Sequence, residues 1–218
     1  MRNQKEDTII LLIDFYGQPG LQDQNYLNRR YNSLLDIINQ RNIDRNHCHI
    51  ISNTHELEDQ QMKSIEKFAW LEKWKWHNIS KDEGVNNGYV NTTIEQFIDI
   101  VRKYDPNLHI SPLKTNIIIG GTETSGCVFD NKNIGALHWA KRGYDTTIYL
   151  PLCCDYSSPG ATWELKQLSG ISSLWNTVGR EIKNSIKNVN ITQNLHLTAS
   201  FDQLSPIIPW SNEKITPL

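Results

Sequence analysis

The chain has 218 residues, with 22 basic and 24 acidic side chains, a formal charge of −2 and a mean hydropathy of −0.52. That length fits one domain with a full core, read here as residues 1–218. Balanced charge without a long basic stripe argues against nucleic-acid or anionic-membrane partners. No run of about 18 apolar residues is present to span a bilayer.

The polar opening from Met1 to Asp7 shows no secretory signal and leads straight into Ile9–Ile13, an apolar run that reads as a central strand. Leu27, Tyr31, Leu34, Leu35 and Ile38 follow at helical spacing, giving one face to pack on a sheet. His49-Ile50-Ile51 is a second strand, on which His47 and His49 alternate with Cys48. Met62, Ile65, Phe68, Ala69 and Leu71 line a further helix.

Thr92 and Glu95 have capping-box spacing, before Ile94, Phe97, Ile98 and Val101 on one helical face. Asn116–Gly120 is the next strand, and Gly121 to Val128 turn it into a helical pattern. Thr146–Leu150 is another strand. Leu165, Leu168, Leu174, Trp175, Val178, Ile182 and Ile186 trace a late helix with a possible break at Gly170. Strand and helix signals alternate, as in a parallel α/β sheet.

The segment Gly121-Thr122-Glu123-Thr124-Ser125-Gly126-Cys127-Val128 carries the chemistry. A cysteine where a strand becomes a helix meets unpaired amides and the positive end of the helix dipole, which favour a thiolate. The same amides can hold an oxyanion. A buried structural thiol is the alternative. Asp14 closes the first strand, and in open α/β sheets the site lies outside the strands' carboxyl ends. Asp14 there either caps a loop or moves protons. The four cysteines lack CxxC spacing, and vicinal Cys153 and Cys154, which could otherwise be a redox pair, read as buried thiols at the end of a strand in a reducing compartment. The glycines match neither dinucleotide nor nucleotide-phosphate loops.

These residues resemble the isochorismatase-like hydrolases. The family's glycine–x–x–threonine–x–x–cysteine–valine turn matches Gly121, Thr124, Cys127 and Val128, and its strand-end aspartate matches Asp14. Its lysine is best matched by Lys81, with Lys73 and Lys75 as rivals. Ala140–Tyr144 with the strand Thr146–Leu150, and the tail Leu197–Asp202, fit the family's later elements. The resemblance implies a three-layer α/β/α sandwich around a mostly parallel, roughly six-stranded sheet. It also implies a cytoplasmic homo-oligomer, dimer or tetramer, acting on a small molecule.

In that family Cys127 would attack a carbonyl, Asp14 would shuttle protons and Lys81 would stabilise charge. A cis peptide at Thr122–Glu123 would aim the Glu123 amide beside that of Cys127 as an oxyanion hole. Tyr16, Trp76 and Thr122 are the substrate-facing candidates. Tyr16 stands where the family has glutamine, and Pro151 where it has an aspartate. Trp70, Trp74 and Trp76 form either a packing stripe or a pocket wall for a planar substrate.

Nicotinamidases of the family hold a metal through histidines after the second strand. Here that stretch offers His55 and no second histidine before His77, so no metal and no cofactor are expected. The implied reaction is hydrolysis of a C–N bond in a small amide or ureido compound through an acyl-enzyme on Cys127. Isochorismatase-type vinyl-ether hydrolysis and a catalytically silent ligand-binding relative are the alternatives.

Overall fold

A computed structural model describes residues 7–15, 24–54, 74–79, 93–129, 134–155, 169–174, 176–177 and 195–198. Among the described residues, six strands form one sheet: β1 (Asp7–Ile13), β2 (Cys48–Asn53), β3 (Trp76–Asn78), β4 (Thr115–Gly121), β5 (Asp145–Tyr149) and β6 (Leu195–Thr198). Their order is β3-β2-β1-β4-β5-β6, and every neighbouring pair is parallel. Among the described residues the helices include α1 (Gln24–Gln40), α2 (Ile94–Tyr104) and the short α3 (Ala136–Lys141).

β1 shows why the chain folds this way. Its two neighbours are β2 and β4, so it is central, and residues Ile9 to Ile13 have no solvent exposure. Ile9, Leu11 and Ile13 pack on one face with Phe97 and Val101 of α2 and Trp139 of α3. Ile10 and Leu12 pack on the other with Leu34, Ile37 and Ile38 of α1. A strand with apolar residues at every position needs cover on both sides, and it receives helices on both. The result is the three-layer α/β/α arrangement expected from the sequence.

Three details differ from the sequence reading. The capping box of α2 is Thr93 with Gln96, one residue later than Thr92 with Glu95. The Thr93 hydroxyl accepts from the Gln96 amide (3.3 Å), and the Gln96 side chain accepts from the Thr93 amide (2.9 Å). Glu95 instead accepts from Arg142 at 2.8 Å, which pulls its carboxyl down to about 2. The expected buried face is unchanged: Ile94, Phe97, Ile98 and Val101.

Second, β2 begins at Cys48, and His47 closes a 3-10 turn (Arg45–His47), so His47 and His49 do not share a strand face. His47 pairs with Asp7 at 3.2 Å, whereas His49 is buried beside Asp105. Third, residues 169–174 are helical straight through Gly170. A Cβ there would collide with the Thr124 hydroxyl. The glycine serves close approach to the cysteine turn, and the residues before 169 that the expected helix includes lie outside the described residues.

Candidate active site

β1 and β4 set the position of the site. They run in register with Ile13 opposite Gly121, so both strands end together at the carboxyl edge. Past β1 comes Asp14, and past β4 come Thr122 and the cysteine turn. The strand order reverses here, because β1 is flanked by β2 on one side and β4 on the other. Open α/β sheets bind ligands in the crevice at such a point.

The ends of β1 and β4 are tied to each other. A Cβ at Gly121 would run into the Ile13 carbonyl, so β4 can pass this close only as glycine. The Thr122 amide donates to the Ile13 carbonyl (2.9 Å), and its hydroxyl donates to the Asp14 carbonyl (2.7 Å). Asp14 takes a left-handed backbone (φ 46°), which aspartate tolerates better than most residues, and its amide donates to the Asn53 carbonyl (3.0 Å). Its side chain is largely buried, at 8% exposure.

Residues Thr124–Phe129 form a single π-type turn. The Val128 amide reaches back five residues to the Glu123 carbonyl (3.1 Å). Such turns are rare and recur at functional sites. Outside partners fix its start. The Glu123 amide donates to the Cys154 carbonyl (2.8 Å), and the Thr124 amide donates to Asp155 Oδ1 (2.7 Å). The hydroxyls of Ser125 and Ser173 share a hydrogen bond of 2.6 Å.

Cys127 is partly exposed, while Cys48, Cys153 and Cys154 are buried and none of the four is in a disulfide. Burial pushes the thiols of Cys48 and Cys153 up to about 12, so neither is a nucleophile at neutral pH. The Cys127 thiol donates to Glu123 Oε2 at 3.3 Å.

Two features of the expected site change. Among the described residues no peptide bond is cis, and that includes Thr122–Glu123. The turn reverses instead through a left-handed Glu123 (φ 59°). The Glu123 amide, expected in the oxyanion hole, is spent on the Cys154 carbonyl.

Other candidates fall as follows. Thr122 is buried and links the strands, with its hydroxyl also accepting from Arg30 at 2.7 Å. Trp76 packs in the core on the α1 side, and its indole N–H donates to Ser52 Oγ (3.1 Å), which is the packing alternative of the sequence reading. Lys75 precedes β3 at the amino edge of the sheet and pairs with Asp105 (2.9 Å), so it is on the wrong edge to rival Lys81. Pro151 lies in the 3-10 turn Leu150–Leu152 after β5. Tyr16, Lys81, Lys73, His55 and Trp70 lie outside the described residues.

Sequence reasoning missed Arg30 and Asp155. Arg30 is fully buried in α1, donates to Thr122 and to Cys154 Sγ (3.0 Å), and lies 4.8 Å over the Phe15 ring. Its signal was a charge at helical spacing with Leu27 and Leu34, on the face that packs inward. Asp155 offered none, since its partner Thr124 is 31 residues away.

No protein-family model matches this chain, and no curated protein does. Among solved structures it is similar to a nicotinamidase from Staphylococcus aureus, at 13% identity with a TM-score of 0.41, over 88% of this chain and 98% of that one. Similarity of that size carries no functional argument. The α/β architecture stands on the strand order above. Among the described residues, no helix is long and apolar enough to cross a membrane.

Proposed function

We propose that this chain is a cysteine hydrolase that cleaves a C–N bond of a small amide or ureido compound through an acyl-enzyme on Cys127. One observation carries the reading: a partly exposed cysteine lies within the π-type turn that follows β4, and β4 ends in register with β1, the strand that Asp14 follows. In the reaction Cys127 Sγ bonds to the substrate carbonyl carbon, the C–N bond breaks, and the nitrogen leaves with a proton. Water then hydrolyses the thioester and restores the thiol. The Cys127 amide supports the oxyanion. A carboxylate at the sheet edge, Asp14 in the family-type scheme, moves the protons, and Lys81 stabilises the charge that develops.

A ligand-binding relative is the second reading, favoured by the engagement of the Glu123 amide with Cys154. Incubation with a panel of amides, ureides and carbamoyl compounds, followed by intact-mass spectrometry, separates the two. The hydrolase reading expects an adduct that maps to Cys127, released product, and neither in Cys127→Ala. Turnover retained by Cys127→Ala would move the protein to chemistry that needs no cysteine, such as vinyl-ether hydrolysis. Binding without adduct or product would establish the silent relative.

A further inference from the structure

We propose that the Glu123 side chain, rather than Asp14, takes the proton of Cys127 and serves as general base in both halves of the acyl-transfer cycle. The inference rests on the cysteine-hydrolase reading and gives Glu123 the proton-moving role that the family-type scheme gives Asp14. Glu123 Oε2 accepts from the thiol at 3.3 Å, four residues away on a turn whose bonds span five. That pitch stacks residue i near residue i+4, which places the carboxylate against the sulfur.

The backbone delivers the side chain there. Glu123 is left-handed, a conformation that is unfavourable for a non-glycine residue and persists where surroundings hold it. Here both ends are held: its amide by the Cys154 carbonyl, its carbonyl by the Val128 amide. Gly126 contributes room. A Cβ at that position would lie 3.5 Å from Glu123 Oε2, in ordinary van der Waals contact, so the carboxylate lies directly over this open position. The Glu123 side chain is exposed.

The steps balance without an added reagent. As Sγ bonds to the acyl carbon, the thiol proton passes to Glu123. The carboxylic acid then protonates the leaving nitrogen and returns to carboxylate. In the second half Glu123 takes a proton from the attacking water, the C–S bond breaks, and the proton returns to sulfur.

A carboxylate in this position has two effects of opposite sign. It assists acyl transfer as a base, typically by a factor of about 100 to 10,000. It also repels the negative thiolate, so it suppresses any reaction that needs a preformed thiolate. A residue that only supports the turn would move both reactions the same way.

The test uses the full chain, with 4-nitrophenyl acetate as acyl donor and iodoacetamide as alkylating agent, followed at Cys127 by peptide mass spectrometry. Glu123→Gln should slow acetylation and deacetylation of Cys127 by roughly 100-fold. It should accelerate alkylation at neutral pH by about tenfold, with the pH profile displaced downward. Acyl transfer unchanged in Glu123→Gln, or lost to the same extent in Asp14→Asn while Glu123→Gln behaves as wild type, overturns the proposal. If Glu123→Gln does not fold, Glu123→Asp keeps the charge and shortens the reach. It should lose acyl transfer while alkylation stays slow, and acyl transfer at the wild-type rate overturns the proposal. Absence of acetyl-Cys127 in the wild type would instead remove the cysteine-hydrolase reading itself.

Discussion

Arg30 brings a guanidinium into the interior at the sheet's carboxyl edge, where it has no solvent exposure. It is held by the Thr122 hydroxyl, the Cys154 sulfur and the face of Phe15. Thr122 in turn holds the Asp14 carbonyl, so one side chain of α1 ties together the segments that follow β1, β4 and β5. Hydrogen bonds from a charged donor contribute more than neutral ones, about 1.5–3 kcal/mol. Arg30→Met should therefore lower unfolding stability in urea by about that amount. Arg30→Lys should not restore it, because a single ammonium cannot match the planar fork and also lie over a ring. A Lys variant as stable as wild type would show that charge alone matters here.

At the scale of elements, short-range choices depend on which of two similar residues finds a partner. Thr92 and Thr93 are both capping residues by type. Thr93 closes the reciprocal box with Gln96, which releases Glu95 to bond Arg142 just beyond α3. Thr93→Ala should cost about 0.5–2 kcal/mol in thermal or urea unfolding, the usual range for a lost N-cap. Thr92→Ala should cost little, and equal losses would contradict the assigned register. The turn after β4 is subject to a packing limit. Gly121→Ala drives a methyl group into the Ile13 carbonyl and disturbs the adjacent Thr122–Ile13 hydrogen bond. A loss of about 1–3 kcal/mol or more is expected, with reduced labelling of Cys127. Gly126→Ala, which meets ordinary contacts, should fold normally.

Over the whole molecule, the two edges of the sheet do different work. The carboxyl edge holds the cysteine turn and Asp14. The amino edge holds a charge cluster in which Lys75 bonds Asp105 (2.9 Å) and buried His49 lies 3.5 Å from the same carboxylate. His77 stacks on Tyr104 there, with ring centroids 4.5 Å apart. Burial first, then the Lys75 charge, lowers His49 from 6.5 to about 4. The unfolded chain thus takes up this proton at a higher pH than the folded one. Stability from this group is complete above pH 6.5, falls as pH drops toward 4, and levels off below, by at most about 3 kcal/mol. Asp105, held below its usual range by the Lys75 hydrogen bond, adds a further loss below about pH 4. Urea unfolding at pH 7 and pH 4.5 should show the decline, and His49→Gln should flatten it. An unchanged slope in that variant would place the titration elsewhere.

Ile9–Ile13 and Asn116–Gly120 announced themselves as buried strands because apolar residues at every position need cover on both faces. That Cys127 and Asp14 lie just past strand ends was legible for a related reason: strand ends are visible in sequence. What lies across the sheet was not legible. Arg30 meets Thr122 from 92 residues away, and Asp155 meets Thr124 from 31. Periodicity records which face a residue buries but not what it finds there. Strand order and register decided those meetings. They put Lys75 on the edge away from the cysteine, turned the Glu123 amide to Cys154, and left its carboxylate against the thiol. Local pattern determined the strands and the nucleophile candidate, and the packing of distant segments decided which groups surround it.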